Sequence, residues 1–139
     1  MIVLDTNVLS EFMRGQPEPA VVRWLDLHSQ HEYAITAVTV AELLYGIARL
    51  PEGRRKGGLQ EAALQMIEDE FAGMVLPFDE HTARHYAAVV AQRERSGRPV
   101  SMADAQIAAI CRHHGAVLAT RNGKDFEGIG LSLANPWLE

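Results

Sequence analysis

The chain lacks most of what would tie it to an oxidising compartment, a membrane or a nonspecific coat on nucleic acid. It holds a single cysteine, Cys111, so no internal disulfide can form. Its setting in "ADAQIAAICRHHG" reads as a small buried apolar group, not a reactive thiol. No apolar run approaches the length of a bilayer crossing, and the run after Met1 is short and lacks the basic flank of a signal peptide. The expectation is a soluble, cytoplasmic protein without a membrane partner. Positive charge is also scarce: 13 Lys and Arg stand against 18 Asp and Glu, a net charge of −5. Broad coating of nucleic acid runs on cations that displace counterions from phosphates, so this balance leaves room only for a local site. Cations cluster at Arg54, Arg55 and Lys56, at Arg93, Arg95 and Arg98, and at Arg121 and Lys124. Each cluster reads first as a solvated helix end or loop. There is no glycine-rich phosphate loop with a lysine and no Gly-x-Ser-x-Gly elbow. "HTARH" (His81, His85) lacks the Glu of a zinc-protease helix.

What is present is enough apolar material for one core. With 139 residues, 47% of them hydrophobic, and no linker or repeat, residues 1–139 are expected to form a single domain. Residues 2–4 read as a short buried strand, "PEPAVVRWLDLHS" as a helix with proline in its first turn, and "YAIT" as a strand. "TVAELLYGIARL" has helical periodicity, "RRKGG" reads as a loop, and Leu59 to Gly73 as an amphipathic helix. "MVLPF" follows as a strand, then a helix capped by Asp79, a helix from Ser101, the buried strand "GAVLAT", and the loop "RNGKDFEGIG" before "LSL". His113 and His114 end a helix, where they suit its dipole. Trp24, Tyr33, Tyr45 and Phe71 read as core or interface. Strands that are continuous apolar runs alternating with helices predict an α/β fold, a central parallel β-sheet flanked by α-helices on both faces. In such sheets ligands bind beyond the carboxyl ends of the strands, and "MIVLDTNVLS" places Asp5 at such an end.

Four acids invite attention together. Asp5 and Asp125 follow buried strands; Glu42 and Asp104 sit three residues after Thr39 and Ser101, the spacing of a capping box. Taken singly, each is equally a turn or cap residue. Taken together, they are positions that an α/β fold can bring to one rim. Carboxylates so placed repel unless a counterion joins them, and an all-oxygen set suits Mg²⁺ or Mn²⁺ better than Zn²⁺.

"MIVLDTNVLSEF", "TAVTVAELLYGI", "SMADAQIAAI" and "LATRNGKDF" resemble, in order and spacing, the motifs of the PIN domain family, most nearly its VapC and FitB-type toxins. The resemblance spans nearly the whole chain. It implies a metal-dependent endoribonuclease, usually a homodimer, held inactive by a cognate antitoxin protein that alone mediates contact with operator DNA. Carried over residue by residue, the family's acids fall on Asp5, Glu42 and Asp104, with Asp125 as the fourth. Asn7, beside Thr6, matches the opening motif, and Thr120 and Asn122 match the closing one. Some relatives carry an acid at the position of Asn122, so a site of three acids stays open beside one of four.

The expected chemistry is hydrolysis of RNA phosphodiesters at one or two Mg²⁺ or Mn²⁺ ions held by Asp5, Glu42, Asp104 and Asp125. Asn7, Thr120 and Asn122 would support the acids or meet phosphate, and Arg121 and Lys124 lie close enough in sequence to do the same. The apolar face of "VAELLYGIARL" and the helix after it offer a seat for an amphipathic antitoxin segment. Two rival readings remain. A noncatalytic metal-binding or signalling module would want a second acid at the first strand end. An Asp-nucleophile phosphatase would want one two residues after Asp5, where Asn7 stands.

Overall fold

Ile2, Val3 and Leu4 form strand β1 (Ile2–Leu4) and are all buried, as an apolar run at the centre of a sheet must be. The computed structural model describes residues 1–139. On one side of β1 lie β2 (Tyr33–Thr36) and then β3 (Val75–Leu76); on the other lie β4 (Val117–Ala119) and then β5 (Ser132–Ala134). Every pairing is parallel. Parallel neighbours need crossovers, and these are the helices. The alternation of side chains along each strand feeds two cores. Val3, Ala34 and Leu118 point into one, which α5 (Glu80–Arg95) and α6 (Met102–His114) close with Val89, Ile107, Ile110 and Cys111. Ile2, Leu4, Ile35 and Ala119 point into the other. That second core is closed by Val8 and Leu9 of α1 (Thr6–Glu11), Val21 and Trp24 of α2 (Pro19–Leu27), Leu43 and Ile47 of α3 (Ala37–Ala48), and Ala63 of α4 (Arg54–Glu70). The expected sheet with helices on both faces is therefore present. No helix is long and apolar enough to cross a membrane.

The strand order β3-β2-β1-β4-β5 means that the chain builds outward from β1 on one side, then returns to build outward on the other. Connections leaving β1 and β4 at their carboxyl ends part in opposite directions and open a crevice there. Asp5 and Thr120 are the residues that follow those two ends.

Local readings differ from the structure in four places. "RRKGG" is not a loop but the first turns of α4, although its two glycines each cost about 1 kcal/mol against alanine in a helix. A helix of 17 residues packed along α3 offsets that cost. The cap of α3 is Thr36, whose Oγ1 accepts from the Thr39 N–H at 3.0 Å, so Glu42 lies in the second turn and is no capping-box partner. "LSL" contributes to a fifth strand. Arg93, read as solvated, is 5% exposed. Other readings hold: Pro19 opens α2, Asp79 caps α5, and Cys111 is buried, its thiol pushed up to about 12 by burial and by the charge of Asp5; Thr82 adds a reciprocal bond to the Asp79 cap.

Candidate active site

Asp5 is the residue from which the crevice is built. Its N–H donates to the Ala119 carbonyl at 2.9 Å, continuing the β1–β4 ladder by one rung. There the chain turns into α1, with Asp5 as the N-cap: Oδ1 accepts from the Thr6 N–H at 2.8 Å. Oδ2 accepts from Thr120 Oγ1 at 2.7 Å, across the gap between the two strands, and from Asn7 Nδ2 at 3.4 Å. Thr120 Oγ1 in turn accepts from the Asn122 N–H at 3.0 Å and from Asn7 Nδ2 at 3.4 Å, while Asn7 Oδ1 accepts from the Arg121 N–H at 3.1 Å. Asp5, Asn7, Thr120 and Asn122 are thus one hydrogen-bonded unit. Asp5 and Thr120 are 6% and 1% exposed, so this carboxylate is held in place out of bulk solvent.

The other acids arrive from separate elements. Glu42, exposed on α3, is tied to α1 because Thr6 Oγ1 donates to its Oε1 at 2.8 Å. Asp104, half-buried in the first turn of α6, stands behind the cap made by Ser101, whose Oγ accepts from the Asp104 N–H at 3.1 Å. Asp125 sits exposed on a 3-10 turn (Gly123–Phe126), with its N–H bonded to the Asn122 carbonyl at 3.0 Å. Burial first, then the charges of Asp5, Asp125 and Glu42, push the Asp104 carboxyl up to about 6, and the Ser101 hydroxyl only partly opposes them. As they stand, no three of these side chains enclose a cation position: they share a field without sharing a coordination sphere. The donors are carboxylate oxygens throughout, the chemistry that hard divalent ions take.

A profile of the PIN domain matches residues 2–130. The chain belongs to the PIN domain family. This PIN domain is 42% identical to the VapC ribonuclease Y4jK of Sinorhizobium fredii, over 99% of this chain and 98% of that one. It is equally 42% identical to the toxin FitB of Neisseria gonorrhoeae, over 99% of both chains. Among solved structures, that of FitAB bound to an IR36 DNA fragment superimposes with a TM-score of 0.91 at 40% identity, over 100% of this chain and 97% of that one.

Several contacts in this PIN domain were not legible in its sequence. Thr6 matches the opening motif, but nothing local says that its hydroxyl reaches an acid 36 residues away. Arg121 lies with its guanidinium 4.9 Å from the centre of the Trp137 ring, which holds a cation at the edge of the PIN crevice. Lys124 is exposed nearby in sequence. Away from the crevice, His113 of α6 stands 6.0 Å from His81 and 5.7 Å from His85, ring centre to ring centre, giving those two a neighbour the sequence did not announce. No three of the histidines are placed to hold a metal.

Proposed function

We propose that this PIN domain is the endoribonuclease toxin of a type II toxin–antitoxin pair, a cytosolic homodimer that hydrolyses RNA phosphodiesters with Mg²⁺ or Mn²⁺ held by Asp5, Glu42, Asp104 and Asp125. The observation that carries this reading is the hydrogen-bonded unit at the ends of β1 and β4: Thr120 Oγ1 and the Thr6 N–H hold Asp5, Thr6 Oγ1 holds Glu42, and Asn122 ties Thr120 to the turn of Asp125, with the Asp104 carboxyl raised by its burial and by the charges of these three acids. Carboxylates gathered in this way repel, and a divalent cation among them would remove that cost. The names of the 42% identical relatives, a ribonuclease and a toxin, point to RNA as the substrate and to an antitoxin as the partner. The DNA-bound FitAB structure points to operator DNA reached through that partner.

When bound, the metal supplies positive charge to the scissile phosphate and makes a water acidic enough to react near neutral pH. The chain's own residues do the rest. Thr120 and the Thr6 N–H fix both oxygens of Asp5, and Thr6 Oγ1 steadies Glu42. Asn7 and Asn122 lock Thr120 to the loop that carries Asp125, so the ligand set is oriented from behind. Arg121 and Lys124 lie on that same loop and meet the phosphates on either side of the cut.

The test is cleavage of a mixed pool of single-stranded and structured RNA by protein freed of antitoxin, in Mg²⁺, Mn²⁺ or EDTA, beside Asp5→Asn and Asp104→Asn. Cuts that need metal and vanish in both variants are expected. Folded protein that cuts nothing under either metal would overturn the reading in favour of a noncatalytic module.

A further inference from the structure

Arg93 is a buried cation to which the chemistry above gives no task. Burying a guanidinium is costly unless it finds acceptors, and here two carbonyl oxygens and no carboxylate accept from it. Nε donates to the Arg98 carbonyl at 2.6 Å, and Nη1 donates to the Glu127 carbonyl at 3.0 Å. Arg98 repeats the gesture: its Nη2 donates to the Lys124 carbonyl at 3.0 Å and to Glu127 Oε2 at 3.3 Å. The two arginines are also tied to each other. Helix α5 ends in a Schellman closure, in which Gly97 at φ 71° lets its N–H reach the Glu94 carbonyl at 3.0 Å and the Arg98 N–H reach the Arg93 carbonyl at 2.9 Å. "RERSGRP" is therefore a preformed bracket, and it grips both ends of the segment from Lys124 to Glu127.

Asp125 lies inside that segment, beside Phe126, which is 1% exposed and plugged into the core. The Asp125 N–H donates to the Asn122 carbonyl at 3.0 Å, and the Asn122 N–H donates to Thr120 Oγ1, the hydroxyl that holds Asp5. The planar fork of a guanidinium can bind two carbonyls from different stretches of chain at once, which an ammonium on a flexible stem does less well. We infer that Arg93 and Arg98 are positioning residues, a double clamp on the backbone of the Lys124–Glu127 turn that holds Asp125 in place as the fourth acid of the crevice. This rests on the metal-dependent reading proposed above.

Charge alone predicts the opposite of the clamp, and that makes the test sharp. Removing a cation close to an acidic site should tighten binding of a divalent ion; removing a clamp should weaken it. The measurement is Mn²⁺ affinity without RNA, from the electron paramagnetic resonance signal of free Mn²⁺, on the full chain and its Arg98→Ala, Arg98→Lys, Asp125→Asn and Arg98→Ala/Asp125→Asn variants, each with its melting temperature. Arg98 is half-exposed, so its variants are the ones to trust for folding, whereas Arg93→Met opens a buried site. Arg98→Ala is expected to weaken Mn²⁺ about 10-fold, in the range for loss of a group that orients a ligand. The double variant should bind no worse than Asp125→Asn alone, since both changes act through one residue. Arg98→Lys should recover part of the loss. Wild type that binds Mn²⁺ while Arg98→Ala or Asp125→Asn binds as well, or a double variant with additive losses, overturns the clamp and leaves the metal site standing. A loss matched by collapse of the melting temperature also overturns it, in favour of general unfolding. Wild type that binds no Mn²⁺ overturns both.

Discussion

The two sides of the crevice are built by opposite means. On the β1–β4 side Asp5 is nearly sealed from solvent, yet donors from Thr6, Asn7 and Thr120 meet its oxygens, so burial has been offset bond by bond. On the α6 side Asp104 is less buried but has only the Ser101 hydroxyl in its favour, and its carboxyl rises to about 6. Charge-assisted hydrogen bonds from fixed donors hold the first side in one geometry. On the second side burial first, and then the charges of Asp5, Asp125 and Glu42, outweigh the Ser101 hydroxyl. The two sides thus differ in how a carboxylate is kept: fixed donors hold Asp5, whereas burial and neighbouring charge raise Asp104.

The comparison breaks most completely at Asp5. Asp5→Asn keeps the shape and most of the hydrogen bonds but removes the charge, and cleavage is expected to fall by more than about 100-fold, the upper end for loss of a mere supporting group. Residual cleavage close to wild type in a quantitative assay would place the chemistry elsewhere. Thr120→Val tests the scaffold instead of the charge. It deletes the 2.7 Å bond to Asp5 at nearly constant volume, so cleavage should fall by about 10- to 100-fold and stability by about 1–3 kcal/mol, the cost of an unmet buried acceptor. Urea denaturation and cleavage rates on one preparation check both numbers. If neither moves, the bond is decorative and the two sides are more alike than they look.

How much of this was readable beforehand follows the same division. Asp5, Glu42, Asp104 and Asp125 stand in motifs whose types and order survive in one dimension, and the apolar runs that became β1, β2 and β4 announce a parallel sheet. Contacts that close over long separations do not. Thr120 to Asp5 spans 115 residues, and it exists because the strand order puts β4 beside β1, which no local pattern states. Arg93 was misread for a related reason: an arginine near a helix end is usually solvated, and only tertiary structure brings the Glu127 carbonyl to it. The helical "RRKGG" stretch is a case of the reverse kind, where local glycine preference was overruled by the length and packing of α4.

Asp104 sharpens the comparison through pH. Its folded carboxyl titrates near 6 and an unfolded one near about 3.9, so between those values the folded protein holds more protons than the unfolded one. Stability should therefore fall as pH rises from about 4 to about 6 and stay reduced above. Asp104→Asn removes that loss and is expected to gain on the order of 1 kcal/mol at pH 7, after allowance for solvent screening of a half-buried group. Saturating Mg²⁺ should stabilise the wild type at pH 7 and do much less for the variant, because the ion relieves the same repulsion. Denaturation curves at both pH values, with and without Mg²⁺, decide it. Identical pH dependence in the two proteins would mean that the Asp104 side carries no burden.

The smallest effect belongs to the cations beside the acids. Arg121 is held against Trp137, whereas Lys124 is exposed and offers only its backbone carbonyl to Arg98. If both meet RNA phosphates, neutralising either should lower the dependence of log K on log salt by about 1, with little change in stability. Their different settings separate the two. Arg121→Gln also gives up a stacked, already ordered guanidinium, so it should cost more affinity at fixed salt than Lys124→Gln, whose flexible ammonium must be ordered on binding. Trp137→Leu should then reproduce part of the Arg121 loss while leaving the salt slope intact, because the charge remains and only its ordering is gone. Filter-binding titrations across a salt series, in EDTA and in the Asp5→Asn background to keep the RNA whole, measure all three. An unchanged slope in the Arg121 and Lys124 variants would return both residues to the solvated surface.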